Sequence, residues 1–290
     1  MKSLLLRIVH TAFKIRPMES FLIWWIQRTK KRNVIIKLAP PNTFYTERDV
    51  RYCKRFGIEF KLNLNDYQSW VLYFFSENDS SFGSLKYLKE GDVVIDVGGN
   101  IGQTALMMAE RIGGSGKVYS FEPFTKTYKR FKENLSLNPS IYNITLEHLA
   151  LGEKAEKLTM YVENAKNSGG NRIKPAGKKV STQIEEVVVT TLDEYSKTNA
   201  ISKINLIKID VEGFEMKVLE GSQTTIREFK PALFIEANDA NLEAQGASLK
   251  AMSDFLKRNG YTIFNAENNM ELNLGWENNF KGSDIYCKIV

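Results

Sequence analysis

Residues 93–102 read VVIDVGGNIG, and this stretch decides the fold. An apolar, β-branched run carries Asp96, passes into Gly98, Gly99, Asn100 and Gly102, and continues as the helix-forming QTALMMAERI. That order predicts a buried parallel strand, a tight glycine turn and the N-terminus of a helix. Backbone N–H groups point outward at such a junction, and glycine, lacking Cβ, lets the main chain come close to a ligand. The predicted occupant is nucleotide-like.

Spacing narrows the choice. A GxGxxG dinucleotide fingerprint fails, because the third and sixth positions counted from Gly98 are Asn100 and Gln103, and a GxxxxGK[ST] phosphate loop fails as well. What stands is DxGxNxG, formed by Asp96, Gly98, Asn100 and Gly102. Glu122, in VYSFEP at the end of the next strand candidate, lies 24 positions past Gly98, close to where such units set a carboxylate on ribose hydroxyls. An adenosine-type ligand with no phosphate follows.

Further blocks appear in order: LALG (149–152), VVVTTLDEY (187–195), LIKIDVEGFEMKVLEG (206–221) and LFIEAN (233–238). With GDVVIDVGGNIG (91–102) and VYSFEP (118–123) they make the sequence similar to the FkbM family of class I S-adenosylmethionine-dependent methyltransferases, over roughly residues 57–290. The resemblance implies an α/β fold with a Rossmann-like, seven-stranded, mostly parallel sheet and S-adenosyl-L-methionine as cofactor. It implies a cofactor site of Asp96, Gly98, Gly99, Asn100, Gly102, Glu122, Pro123, Ala150, Leu151 and Asp210. Leu149 to Leu151 either sandwich the purine or are ordinary strand-end core. The implied reaction is O-methylation of a hydroxyl on a sugar, a glycolipid or another secondary metabolite.

The block INLIKIDVEGFEMKVLEG (204–221) carries the candidate chemistry. Two carboxylates and a lysine in an apolar strand are costly without a function or a partner. A period of two would send Lys208, Asp210 and Glu212 to one side of the strand end, and Gly213 permits the turn into a helix. The alternative is structural, with Asp210 capping that helix and Lys208 paired to it. PALFIEAND (231–239) repeats the arrangement with Glu236 and Asn238. An aliphatic hydroxyl is about as weak an acid as water, whose pKa is ~15.7, so a base or a metal is needed at the acceptor. The only histidines are His10 and His148, so a carboxylate must serve. Asp210, Glu212 and Glu236 are the candidates, with Lys208 orienting one of them. Two other classes stay open: a Mg²⁺-dependent O-methyltransferase with Asp210, Glu236 and Asn238 as oxygen ligands, and a non-catalytic binding or scaffold protein on the same fold.

Charge is unevenly placed. Residues 1–61 hold 14 Lys plus Arg against 4 Asp plus Glu, and the remainder holds 26 against 30. The basic character lies outside the catalytic blocks, which argues against nucleic acid as substrate. The expected division is therefore 1–56, a basic and mostly helical extension, and 57–290, the methyltransferase domain. In the extension, MKSLLLRIVHTAF and FLIWWIQRTKKRN mix apolar and basic residues, with Trp24 and Trp25 ahead of Arg28, Lys30, Lys31 and Arg32. Charges interrupt every apolar run, so neither a membrane span nor a signal peptide is expected. Such a helix either lies through residues 1–35 on an anionic membrane or packs on the catalytic domain. Cys53 and Cys287 are far apart in sequence, which points to a reducing, cytoplasmic compartment, peripheral at the inner membrane face if the helix binds lipid.

GIEFKLNLND (57–66) alternates as a half-buried strand, and ITLEHLALG (144–152) reads as one strand and its turn. EKLTMYVEN and EEVVVTTLDEY are strand-like and flank AKNSGGNRIKPAGKKVSTQ, which predicts a hairpin excursion with a mobile loop. Within it Asn167 to Asn171 either faces the active site, as the resemblance implies, or is a solvated tip. YTIFNA and DIYCKIV suit a closing antiparallel pair.

Overall fold

A computed structural model describes residues 2–29, 35–75, 80–162, 166–173, 184–273, 275–278, 280 and 284–289. By its internal contacts the chain forms two compact units, 1–79 with 165–168, and 80–164 with 169–290.

The first unit contains α1 (Lys2–Ala12), α2 (Arg16–Arg28), the antiparallel hairpin β1 (Val50–Arg55) and β2 (Ile58–Asn63), and α3 (Tyr67–Phe75). Alternation in β2 buries Ile58, Phe60 and Leu62, as the sequence predicts. Its partner β1 escapes sequence reading because the residue it buries is Arg51. Arg51 donates from Nε and Nη2 to both oxygens of the buried Glu19 on α2, at 2.7 and 3.0 Å, and the Tyr73 hydroxyl of α3 donates to Glu19 at 2.8 Å. This fork-to-carboxylate geometry satisfies the buried charges that would otherwise destabilise the unit. The expected boundary between residues 56 and 57 falls in the turn of the hairpin, whose pairing from Val50↔Asn63 to Arg55↔Ile58 keeps both sides in one unit. α2 also buries Leu22 and Ile26, so one of its faces is packed within this unit. Lys30, Lys31 and Arg32 lie outside the described residues. Among the described residues no helix is long and apolar enough to cross a membrane.

The second unit is built on a seven-stranded sheet of order β12–β13–β11–β10–β3–β4–β5. Its strands are β3 (Val93–Val97), β4 (Lys117–Phe121), β5 (Ile144–Glu147), β10 (Leu206–Ile209), β11 (Ala232–Glu236), β12 (Thr262–Asn265) and β13 (Asp284–Lys288). All neighbours pair parallel except β11–β13 and β12–β13, the closing antiparallel pair expected. β3 and β10 read as continuous apolar runs because helices cover both faces of a parallel sheet. The helix α4 (Gln103–Ile112) buries Ala105, Leu106, Met108 and Ile112, and α5 (Thr125–Ser136) buries Phe131. Chain order reverses between β3 and β10, so a crevice opens at their carboxyl ends.

A second sheet of order β6–β9–β7–β8 stands beside the first, from β6 (Ala150–Leu151), β7 (Glu156–Val162), β8 (Asn171–Arg172) and β9 (Ile184–Thr190). ITLEHLALG is therefore two strands in two sheets, broken at His148, whose exposed ring stacks on Tyr128 at 4.3 Å. VVVTTLDEY is strand only to Thr190, because the Thr191 hydroxyl accepts from Glu194 N at 3.0 Å and caps the helix α6 (Leu192–Thr198). The expected hairpin forms as β7 and β9, and most of its expected mobile loop lies outside the described residues. Cys53 and Cys287 are free thiols.

Candidate active site

Parallel register sets the centre of the site. Asp96 of β3 pairs with Lys208 of β10, so the two side chains share one face of the sheet. Lys208 Nζ lies 3.4 Å from Asp96 Oδ1, 3.3 Å from Asp210 Oδ2, and donates to the Gly98 carbonyl at 3.2 Å. Asp96 is sealed from solvent and its Oδ2 accepts from the Ser120 hydroxyl at 2.6 Å. Burial pulls the Lys208 ammonium toward neutrality, but the Asp210 and Asp96 carboxylates outweigh it and hold its pKa above the ordinary lysine value. Burial raises Asp96, and the Lys208 charge works against that rise. Asp96 thus acts on Lys208 and Ser120 from beneath the glycine turn.

The glycines answer first to packing inside the protein. A Cβ on Gly98, at φ +90°, would stand 2.0 Å from the Asp210 carbonyl oxygen, and one on Gly102, at φ +87°, 2.2 Å from the Phe131 ring. Gly98 and Gly99 donate their N–H groups to the Phe121 carbonyl at the end of β4. Asn100 is left-handed, at φ +49°, a conformation costly for a residue with a side chain. Its N–H is held at 2.7 Å by Glu122 Oε2.

Glu122 is a clamp. Oε1 accepts from Phe124 N at 2.9 Å and from the Thr127 hydroxyl at 2.6 Å, in addition to the Asn100 bond on Oε2. A carboxylate has about four acceptor positions, so Oε2 retains one for a ribose hydroxyl, where the sequence suggested two hydroxyls. Burial pushes its pKa up to about 7 against the pull of those three donors.

Beyond Glu122 an apolar cleft is lined by Val97, Gly98, Phe121, Pro123, Leu149, Ala150 and Leu151, with Met160, Arg172, Ile173, Val211 and Phe214. Pro123, Ala150 and Leu151 therefore meet Gly98 in one slot, whose apolar walls suit a purine ring. With an acceptor position left on Glu122 and this apolar slot at Gly98, the residues fit S-adenosyl-L-methionine.

The three candidate carboxylates have separate environments. β10 ends at Ile209, so a period of two does not carry on to residue 212. Glu212 adopts φ +55° and turns away, accepting on Oε2 from Arg172 Nη2 at 2.9 Å and Asn241 Nδ2 at 3.0 Å. Arg172 closes the triangle by donating to Asn241 Oδ1 at 3.1 Å. Glu236 has a buried Oε2 with no hydrogen-bond partner among the described residues. Burial, reinforced by the Asp210 and Glu212 charges, pushes its pKa up to about 9 and favours the neutral acid. Asp210 alone is ion-paired yet open, its side chain 46% exposed. It does not cap the following helix α7 (Glu215–Glu220); the buried Glu215 holds that turn by accepting from Val211 N and Gly213 N, each at 3.0 Å. Asn238 is an N-cap, accepting on Oδ1 from Asn241 N at 3.2 Å.

Sequence reading missed Arg172, Asn241, Ser120, Thr127 and Glu215. For Arg172 a signal existed, since it follows the NSGGN run directly; residues 171–172 pair with β7 and bring it to the cleft.

Topology and site together define the class I methyltransferase fold. The model of the methyltransferase FkbM domain matches residues 96–263, more than half of the chain, and the chain belongs to that family. Among curated relatives, the hexuronic acid methyltransferase AglP of Haloferax volcanii is 29% identical over 144 residues, covering 49% of this chain and 55% of the relative. Methyltransferase 1 of Beauveria bassiana is 28% identical over 144 residues, covering 44% and 57%. The chain thus spans a little over half the length of these relatives. The crystal structure of methyltransferase FkbM from Methylobacillus flagellatus aligns at TM-score 0.48 and 18% identity, over 77% of this chain and 52% of that one.

Proposed function

We propose that the protein transfers a methyl group from S-adenosyl-L-methionine to a hydroxyl of a sugar, a glycolipid or another secondary metabolite, with Asp210 as the proton acceptor. The observation that carries this reading is the contrast among carboxylates: Asp210 is exposed beside Gly98, Glu212 is tied to Arg172, and Glu236 Oε2 is buried. The cofactor supplies an activated methyl on a sulfonium, so the chain has to align the acceptor and take its proton. Asp210, held from below by Lys208, receives the proton. Glu236, in its neutral form, donates a hydrogen bond to the acceptor. Arg172, tied to Glu212, lines the cleft and limits which acceptors enter.

The hexuronic acid specificity in the name of the Haloferax relative supports a sugar acceptor. The Mg²⁺-dependent reading is less well supported, because Asn238 Oδ1 is occupied in capping and Asp210 already faces the Lys208 ammonium. The test is incubation of the protein and S-adenosyl-L-methionine with a panel of uronic acids, neutral sugars and glycolipids, followed by mass spectrometry. Gain of one methyl group on a hydroxyl supports the reading. Methylation confined to amines or to nucleic acid would refute it.

A further inference from the structure

The first unit carries a surface that the methyl-transfer site does not use. α2 is apolar around most of its circumference: Leu22 and Ile26 face inward beside Glu19, yet Met18, Phe21, Trp24 and Trp25 are 39%, 54%, 48% and 38% exposed. At 3.6 residues per turn Phe21, Trp24 and Arg28 fall opposite the buried residues, and Met18 and Trp25 flank them on one side. Phe21 stacks on Trp24 at 5.8 Å and meets Trp25 at 6.0 Å, and the Arg28 guanidinium stands 5.0 Å from the Trp24 ring centre. Ile15, in the turn between α1 and α2, is exposed as well. A contiguous exposed apolar patch with aromatic rings marks an interaction site.

Charge identifies what it meets. Glu19 is the only acidic residue among the first 46, and it is buried against Arg51. It therefore offers no negative charge at the surface. Arg7, Arg16 and Arg28 are exposed. Aromatic rings that pair an apolar body with a polar edge, flanked by arginines and lacking acids, match the boundary between headgroups and acyl chains of an anionic bilayer. We infer that this arc of α2 lies on an anionic membrane surface, with Phe21, Trp24 and Trp25 at the acyl boundary and Arg28 among the lipid phosphates. The packed face of α2 holds the helix to its unit while the opposite face is bound to lipid.

The test is co-sedimentation of the full chain with vesicles of phosphatidylcholine alone or with about one-third phosphatidylglycerol, at low and high salt. Expected are binding to the anionic vesicles, weak binding to the neutral ones, partial release by salt, and a blue shift of tryptophan fluorescence. Replacing Phe21, Trp24 and Trp25 by Ser should reduce partitioning at least tenfold at an unchanged melting temperature, because these side chains lie outside the core. Trp24→Ser alone serves as a second variant should the triple one melt lower. Arg28→Glu should weaken the preference for anionic lipid. Absence of binding at low salt, or binding indifferent to these substitutions, overturns the inference. A concentration-dependent dimer lost in the serine variant, with no vesicle binding, would assign the arc to a contact between copies instead.

Discussion

Lys208 Nζ stands 3.3 Å from Asp210 Oδ2, and the two ends of this ion pair face opposite environments: the lysine side chain is 6% exposed and the aspartate side chain 46%. The buried cation is fixed by β10 and by its second partner Asp96, so it holds the exposed Asp210 carboxylate in place at the end of β10. Reactive charge at the surface is thereby oriented by charge in the core.

Glu236→Gln should leave turnover at pH 7 within a few-fold of the parent, since the amide resembles the protonated acid. Its effect on stability has a defined sign. The folded pKa of about 9 lies above the ordinary glutamate value of 4.5, so the folded protein holds this proton more tightly than the unfolded chain. That contribution is fully present below pH 4.5 and is lost as pH rises toward 9. Gln does not titrate, so the variant should melt higher than the parent at pH 8.5 by ~1 kcal/mol or more, and the gap should close near pH 4.5. Thermal melts at the two pH values measure it.

Arg172→Ala should impair acceptor use by leaving Glu212 and Asn241 without the guanidinium that joins them. The parent pair is mostly shielded from solvent, so a double-mutant cycle with Glu212→Gln should show coupling of ~1 kcal/mol or more. Additive effects would mean that the triangle does not act as a unit.

Glu122→Ala should weaken binding of S-adenosyl-L-methionine by roughly tenfold or more, through loss of a charge-assisted bond of ~1.5–3 kcal/mol. It should also lower stability, because Asn100 N, Phe124 N and the Thr127 hydroxyl all lose their acceptor. Calorimetry for the ligand and urea unfolding for the chain test both halves. Full stability in the variant would remove the clamp.

Much of this was legible in the sequence. VVIDVGGNIG gave strand, turn and helix because β-branched runs and glycine punctuate the chain locally, and the order of the later blocks gave the sheet. The environments of Glu212 and Glu236 were not legible, since they depend on long-range partners. A period of two placed Glu212 with Asp210, but the strand stops at Ile209 and a left-handed backbone turns the side chain toward Arg172, 40 positions away. The strand β1 was missed because its inward residue is an arginine, whose partner Glu19 lies 32 positions earlier. Hydrophobic periodicity registers apolar burial and is blind to a buried ion pair.

The most direct measurement is the turnover of Asp210→Asn on an identified acceptor, made alongside calorimetry of cofactor binding and with Glu212→Gln as comparison. The account predicts that Asp210→Asn binds the cofactor with near-parent affinity while turnover falls by ~10² to 10⁴, the range general-base catalysis contributes. The amide keeps the size of the side chain and cannot take the proton. Near-parent turnover in Asp210→Asn would contradict the assignment of the base.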